Sequence, residues 1–135
     1  MRVPGLSLDA DHPDLDWRAT REPGVFWIPL FLEAESGGRR REESEGGDAA
    51  VLIRMEPGHG YPAHRHVGVE EVLVLSGGYR DELGDHVQGD FVRYPAGSVH
   101  APVALGDRGA AAGPSNPACV LYAIAREGVE LVDGP

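Results

Sequence analysis

His64, His66, Glu70 and His100 are the residues of this chain whose types and spacing could do chemistry, because together they make a ligand set for one metal ion. His64 and His66 are separated by one residue, and in an extended strand alternate side chains leave on the same face, so both imidazoles can reach a common point. Glu70 continues the same even-numbered parity. A bulge at Gly68 would insert an unpaired residue, reverse the facing and hand the role to Glu71. His100 arrives from a separate segment, FVRYPAGSVH, in which Pro95 and Gly97 supply a turn that re-aims the chain before the ligand.

The ligand set bounds the chemistry. Three neutral imidazoles and one carboxylate leave a divalent ion with a net charge of about +1, and a poorly solvated interior then favours a bound hydroxide or enolate. Zinc would be four-coordinate with the protein alone, acting structurally or as a Lewis acid. Iron(II) or manganese would take six ligands and keep two adjacent positions open, as chelation of a diketone or hydroxy-ketone followed by O₂ attack requires. Glutamate in place of cysteine disfavours copper(I). Tyr61, Tyr94, Tyr122 and Arg54, with Arg93 and Trp27, are the candidates to orient a small-molecule substrate, between apolar walls from VLIRM, EVLV and VLYAIA. For Lewis-acid isomerisation or hydrolysis the base would be His59 or Tyr61, with Glu82 or Asp81 brought near by the fold. His12, His59 and His86 otherwise read as packed or solvent-facing histidines.

The elements that must position these residues are short. VFWIPLFL (25–32) is the first strong strand, drawn toward a sheet edge by Pro29. AAVLIRME (49–56), PAHRH, EEVLVLSG, YRDEL, HVQ, FVRYP, SVHAPVAL, ACVLYAIAR and VELV follow, each closed by glycine, proline or aspartate. Short strands without a helical period predict an all-β sandwich or barrel. Residues 33–48 read as an exposed hairpin loop and 106–117 as a low-complexity loop. The proline-broken residues 1–24 read as an arm or edge segment, leaving 25–135 for the barrel.

The 135 residues suit a single domain. With 12 basic and 22 acidic residues the formal charge is −10, which opposes attraction to nucleic acid or anionic lipid. All the basic residues are arginine, so lysine Schiff bases and the phosphate-loop lysine are excluded. The lone Cys119 forms no intrachain disulfide. No apolar run reaches membrane-spanning length, and the acidic N-terminus lacks the features of a secretory signal, so a cytoplasmic protein is expected.

Gly58, His64, His66, Glu70 and Gly77 match the first motif of the cupins, and Gly89, Pro95, Gly97 and His100 match the second, with Ala104 where the family has asparagine. The chain thus resembles a cupin, a jelly-roll β-barrel, and residues ~14 to 126 are similar to the cupin domain of ChrR-type anti-sigma factors. That resemblance implies a metal held by His64, His66, Glu70 and His100, and a homodimer for which the apolar 25–32 strand is a plausible edge. The helical zinc domain with which those anti-sigma factors grip a sigma factor has no counterpart in this sequence. Stand-alone cupins of this kind include iron-dependent dioxygenases that cleave β-diketones or hydroxyacetophenones. Two functions are therefore expected to compete: a metal-dependent dioxygenase acting on a small molecule, and a ChrR-like metal-binding sensor.

Overall fold

The computed structural model describes residues 15–32 and 47–132, so His12, the first part of the 1–24 arm and nearly all of the 33–48 loop lie outside the described residues. Every element among the described residues is a strand. They are β1 (Arg18–Ala19), β2 (Val25–Leu32), β3 (Ala49–Met55), β4 (His64–His66), β5 (Glu70–Ser76), β6 (Gly78–Asp81), β7 (Gly84–Val87), β8 (Phe91–Tyr94), β9 (Val99–His100), β10 (Val103–Ala104), β11 (Cys119–Ala125) and β12 (Val129–Leu131). The SVHAPVAL run forms two strands rather than one, interrupted at Ala101 and Pro102; proline has no N–H to give the ladder.

Three antiparallel sheets enclose the interior, ordered β1-β2-β3-β11-β5-β8, β10-β6-β7 and β12-β4-β9. This is the all-β, single-domain cupin architecture. Pro29 is accommodated by a register shift between Pro29 and Phe31, and β1 covers β2 only opposite Phe26 and Trp27. The large sheet is built in transverse rows. Ile53, Leu121 and Val74 are aligned, as are Val51, Ala123, Val72 and Val92, and then Ala49, Ala125, Glu70 and Tyr94.

The inner face of these rows forms the main core, in which Met55, Val72 and Val74 are at most 2% exposed; burying each is worth about 1.5–3 kcal/mol. The outer face is also covered. Leu52, Leu75 and Val120 are buried there under Trp17, Ile28 and Tyr122. Both faces of the central strands therefore need apolar residues, which turns β3, β5 and β11 into nearly continuous hydrophobic runs.

Candidate metal centre

The four-residue ligand set is assembled where the sheets converge. β4 and β9 run antiparallel with His64 directly opposite His100, so both rings enter the barrel side by side. Gly97, at φ +84, forms the turn before β9. Its N–H donates to the His66 carbonyl at 2.7 Å, and the His66 N–H donates to the Ser98 carbonyl at 2.9 Å, tying the second motif to the first. Glu70 opens β5 on the facing sheet, reached across residues 67–69. Gly68 donates to the Arg126 carbonyl there, and a Cβ at Gly68 would stand only 2.6 Å from that oxygen. The irregularity in the β5–β11 ladder lies near Val120 and Leu121, at the far end from Glu70. The parity read from sequence is thus preserved: Glu70 is buried and aimed inward, while Glu71 sits opposite Ile124 and Arg93 on the other face.

The ligand atoms of His64, His66, Glu70 and His100 lie within 4.8 Å of one another. His64 Nε2 is 2.9 Å from His100 Nε2, and His66 Nε2 is 3.4 Å from Glu70 Oε1. The opposite nitrogen of every ring is held. His64 Nδ1 donates to the Pro62 carbonyl and His100 Nδ1 to Asp81 Oδ2, each at 3.0 Å. His66 Nδ1 meets Ser98 Oγ at 3.0 Å, and that hydroxyl gives its own proton to the Pro95 carbonyl at 2.6 Å, so the ring must be the donor. All three imidazoles are thereby fixed with the proton on Nδ1 and the lone pair of Nε2 turned toward a common point.

That arrangement fits a cation. Two Nε2 lone pairs face each other at 2.9 Å, and the Nε2 of His66 is buried without a hydrogen-bond partner; buried acceptors are not left so without something to satisfy them. Burial lowers the pKa of His64 to about 4 and lowers that of His100, keeping both rings neutral, as metal ligation requires. The cluster could hold one metal ion.

His64, Glu70 and His100 also form the polar end of an apolar cavity of about 90 Å³. Its walls come from the inward rows, with Val51, Ile53, Leu121 and the small Ala49, Ala123 and Ala125, and Tyr61 and Trp27 line it too. Tyr61 packs edge-on against His64, with centroids 5.3 Å apart. Tyr94 lies behind the ligands, its ring 4.3 Å from that of His100 and 5.0 Å from that of His66. Arg54 and Tyr122 do not line the cavity: Arg54 pairs with Glu56, and Tyr122 packs on the outer cluster. Arg93 is exposed. His59 contacts the Pro23 carbonyl, and Glu82 accepts from the Ala101 N–H.

Asp81, Ser98 and the Pro62 carbonyl hold the three imidazoles, and sequence reasoning did not assign them that task. Asp81 is a hub that accepts from Tyr94 Oη, His100 Nδ1, His86 Nε2 and the Leu83 N–H. Burial pushes its pKa up, but these donors prevail and hold it down at about 2, so it is a carboxylate. The sequence carries no local signal for this, because the partners of Asp81 come from three different strands and a turn.

Residues 9–112 match the family described as the ChrR cupin-like domain. The anti-sigma-E factor ChrR of Cereibacter sphaeroides is 34% identical over 96 residues, which are 70% of this chain and 43% of that protein. The crystal structure of Rhodobacter sphaeroides SigE in complex with the anti-sigma ChrR matches with a TM-score of 0.61 and 28% identity, over 83% of this chain and 49% of that one. The present chain thus spans less than half of the length of these relatives. An acetylacetone dioxygenase from Acinetobacter johnsonii has a similar fold, with a TM-score of 0.58 and 14% identity over 82% of this chain and 64% of that one.

Proposed function

The chain belongs to the family of ChrR cupin-like domains, and on that premise we propose that it is a mononuclear metal protein whose ion is held by His64, His66, Glu70 and His100 and acts on a small molecule as a dioxygenase. The observation that carries this reading is that three of the four ligand side chains form the polar end of an otherwise apolar cavity. A structural ion would need no such space beside it.

Iron(II) or manganese in this set would supply a Lewis acid for an enolate and a one-electron path to O₂. The protein does the rest. Imidazoles bind a metal as neutral ligands, so with Glu70 the only charged ligand the site would keep a residual positive charge that selects an anionic, chelating oxygen pair. The aliphatic walls exclude water, and Ala49, Ala123 and Ala125 leave room for short alkyl groups. A cavity of about 90 Å³ is smaller than the ~150 Å³ that admits benzene, which favours an aliphatic 1,3-diketone or hydroxy-ketone over an aryl one. For a 1,3-diketone the overall reaction consumes one O₂, breaks one C–C bond and yields a carboxylic acid and a 1,2-dicarbonyl, with both oxygen atoms retained and no external reductant.

Oxygen-electrode assays of protein loaded with iron(II) without air, across short 1,3-diketones and hydroxy-ketones, test this. Substrate-dependent O₂ uptake is expected, and no uptake from any of them by fully metallated protein would overturn the enzymatic reading. A second reading follows from the 34% identical anti-sigma factor: the same site senses a metal or small molecule and reports it to a protein partner. Stoichiometric zinc without turnover would favour that alternative. A homodimer and a cytoplasmic location complete the proposal. The dimer is motivated by the end of β2 beyond Trp27, which β1 leaves uncovered and where Phe31 is exposed, and sedimentation would test it.

A further inference from the structure

We propose that Asp81 is a positioning residue for the metal centre, dictating which nitrogen of His100 carries the proton. This rests on the metal-binding reading above. The Asp81 side chain is fully buried, and its two oxygens have different partners. Oδ2 accepts from His100 Nδ1 at 3.0 Å and from Tyr94 Oη at 2.5 Å. Oδ1 accepts from the Leu83 N–H at 3.0 Å and from His86 Nε2 at 2.9 Å. Tyr94 has one proton and gives it to Asp81, so Tyr79, whose hydroxyl is 2.5 Å away, donates to Tyr94. Donors therefore converge on Asp81 along the line Tyr79–Tyr94–Asp81–His100, Tyr79 giving to Tyr94 and Tyr94 to Asp81 from the core side, and His100 Nδ1 giving to the same oxygen from the other. At its end His100 keeps its proton on Nδ1 and presents the lone pair of Nε2.

The partition between the two oxygens makes Asp81→Asn a directed perturbation. Leu83 offers a backbone N–H, which can only donate, so the amide oxygen must take the Oδ1 place. The amide NH₂ then takes the Oδ2 place, against His100 Nδ1. Two donors cannot share that contact. Tyr94 can rotate its hydroxyl, but His100 relieves the conflict only by moving its proton to Nε2. That proton points at His64 Nε2, 2.9 Å away, and makes a histidine–histidine hydrogen bond where an ion would sit. The set falls from four ligands to three without a cavity or an unpaired group being created.

Long-range ¹H–¹⁵N correlation spectra of the ¹⁵N-labelled full chain in EDTA, together with zinc titration against a chromophoric chelator, test this. Wild type is expected to show His100 protonated on Nδ1, and D81N to show it on Nε2 with a zinc Kd raised about 10–100-fold. A D81N protein that keeps the Nδ1 proton, or that binds zinc within about threefold of wild type, would overturn the assignment. Should D81N not fold, metal-free wild type decides, since His100 protonated on Nε2 would refute the positioning role. Wild type that binds no zinc would refute the metal reading instead, while the tautomer still reports on Asp81.

Discussion

Replacing His66 by leucine should reverse the stability order of variant and wild type according to whether metal is present. His66 is fully buried, and its Nε2 has no hydrogen-bond partner. Leucine removes the Nδ1 bond to Ser98, a net loss of about 1 kcal/mol, but also removes an unpaired buried acceptor that costs about 1–3 kcal/mol. In EDTA the variant is therefore expected to be as stable as wild type or up to ~2 kcal/mol more stable. At a metal concentration about 100 times the wild-type Kd, wild type gains ~2.7 kcal/mol, whereas a variant binding about 100-fold more weakly gains under ~0.5 kcal/mol. Wild type should then melt at least ~2 °C above its own EDTA value for each kcal/mol gained, and overtake the variant. Paired thermal and urea melts with EDTA and with metal measure both orders. A variant more than ~1 kcal/mol less stable than wild type in EDTA would show that Nε2 is satisfied within the metal-free protein. Equal metal-induced stabilisation of both proteins would refute His66 as a ligand.

Three further outcomes are expected. Burial lowers the pKa of His64 to about 4 and also lowers that of His100. The unfolded chain therefore binds more protons than the folded one below about pH 6.5, and metal-free stability should fall as the pH drops from there toward 4; a urea midpoint that is unchanged or higher at pH 5 than at pH 7.5 would contradict this. Cys119 is fully buried, with its thiol pushed up to about 12, so iodoacetamide at pH 8 should label it only after unfolding, and rapid labelling of native protein by mass spectrometry would count against the packing described. Ala123→Val adds two methyl groups to the cavity wall; it should leave zinc affinity unchanged while lowering substrate-dependent O₂ uptake at least about tenfold, at a stability cost of about 1–3 kcal/mol, and unaltered uptake would place the substrate elsewhere.

The clustering of the four candidate residues was legible because they obey short-range rules. The alternation of a strand puts His64 and His66 on one face, the parity carries on to Glu70, and the turn at Pro95–Gly97 delivers His100 opposite His64. Other features were hidden for a physical reason. The outer face of the large sheet has its own buried cluster, so in β3 it is Ala49, Leu52 and Met55 that are buried, three apart, with half-buried residues between them instead of strict alternation. Inward and outward residues then look alike, and Arg54 and Tyr122 could not be told from cavity-lining residues. The cavity itself depends on alanines from β3 and β11 meeting in register, a property of pairing across more than 70 residues of sequence. The polar supports were silent because Pro62 acts through its backbone, and Asp81 and Ser98 through contacts 19 and 32 residues distant in sequence.

Metal analysis of protein purified without added metal and under exclusion of air, beside His100→Ala prepared identically, tests the central claim most directly. About one equivalent of a divalent transition metal in wild type and almost none in the variant is expected from a four-ligand site stripped of one imidazole. Iron or manganese there would support the dioxygenase, and zinc the sensor. Equal metal content in both proteins, or protein that neither carries nor takes up a divalent ion, would contradict the assignment of His64, His66, Glu70 and His100 as a metal centre.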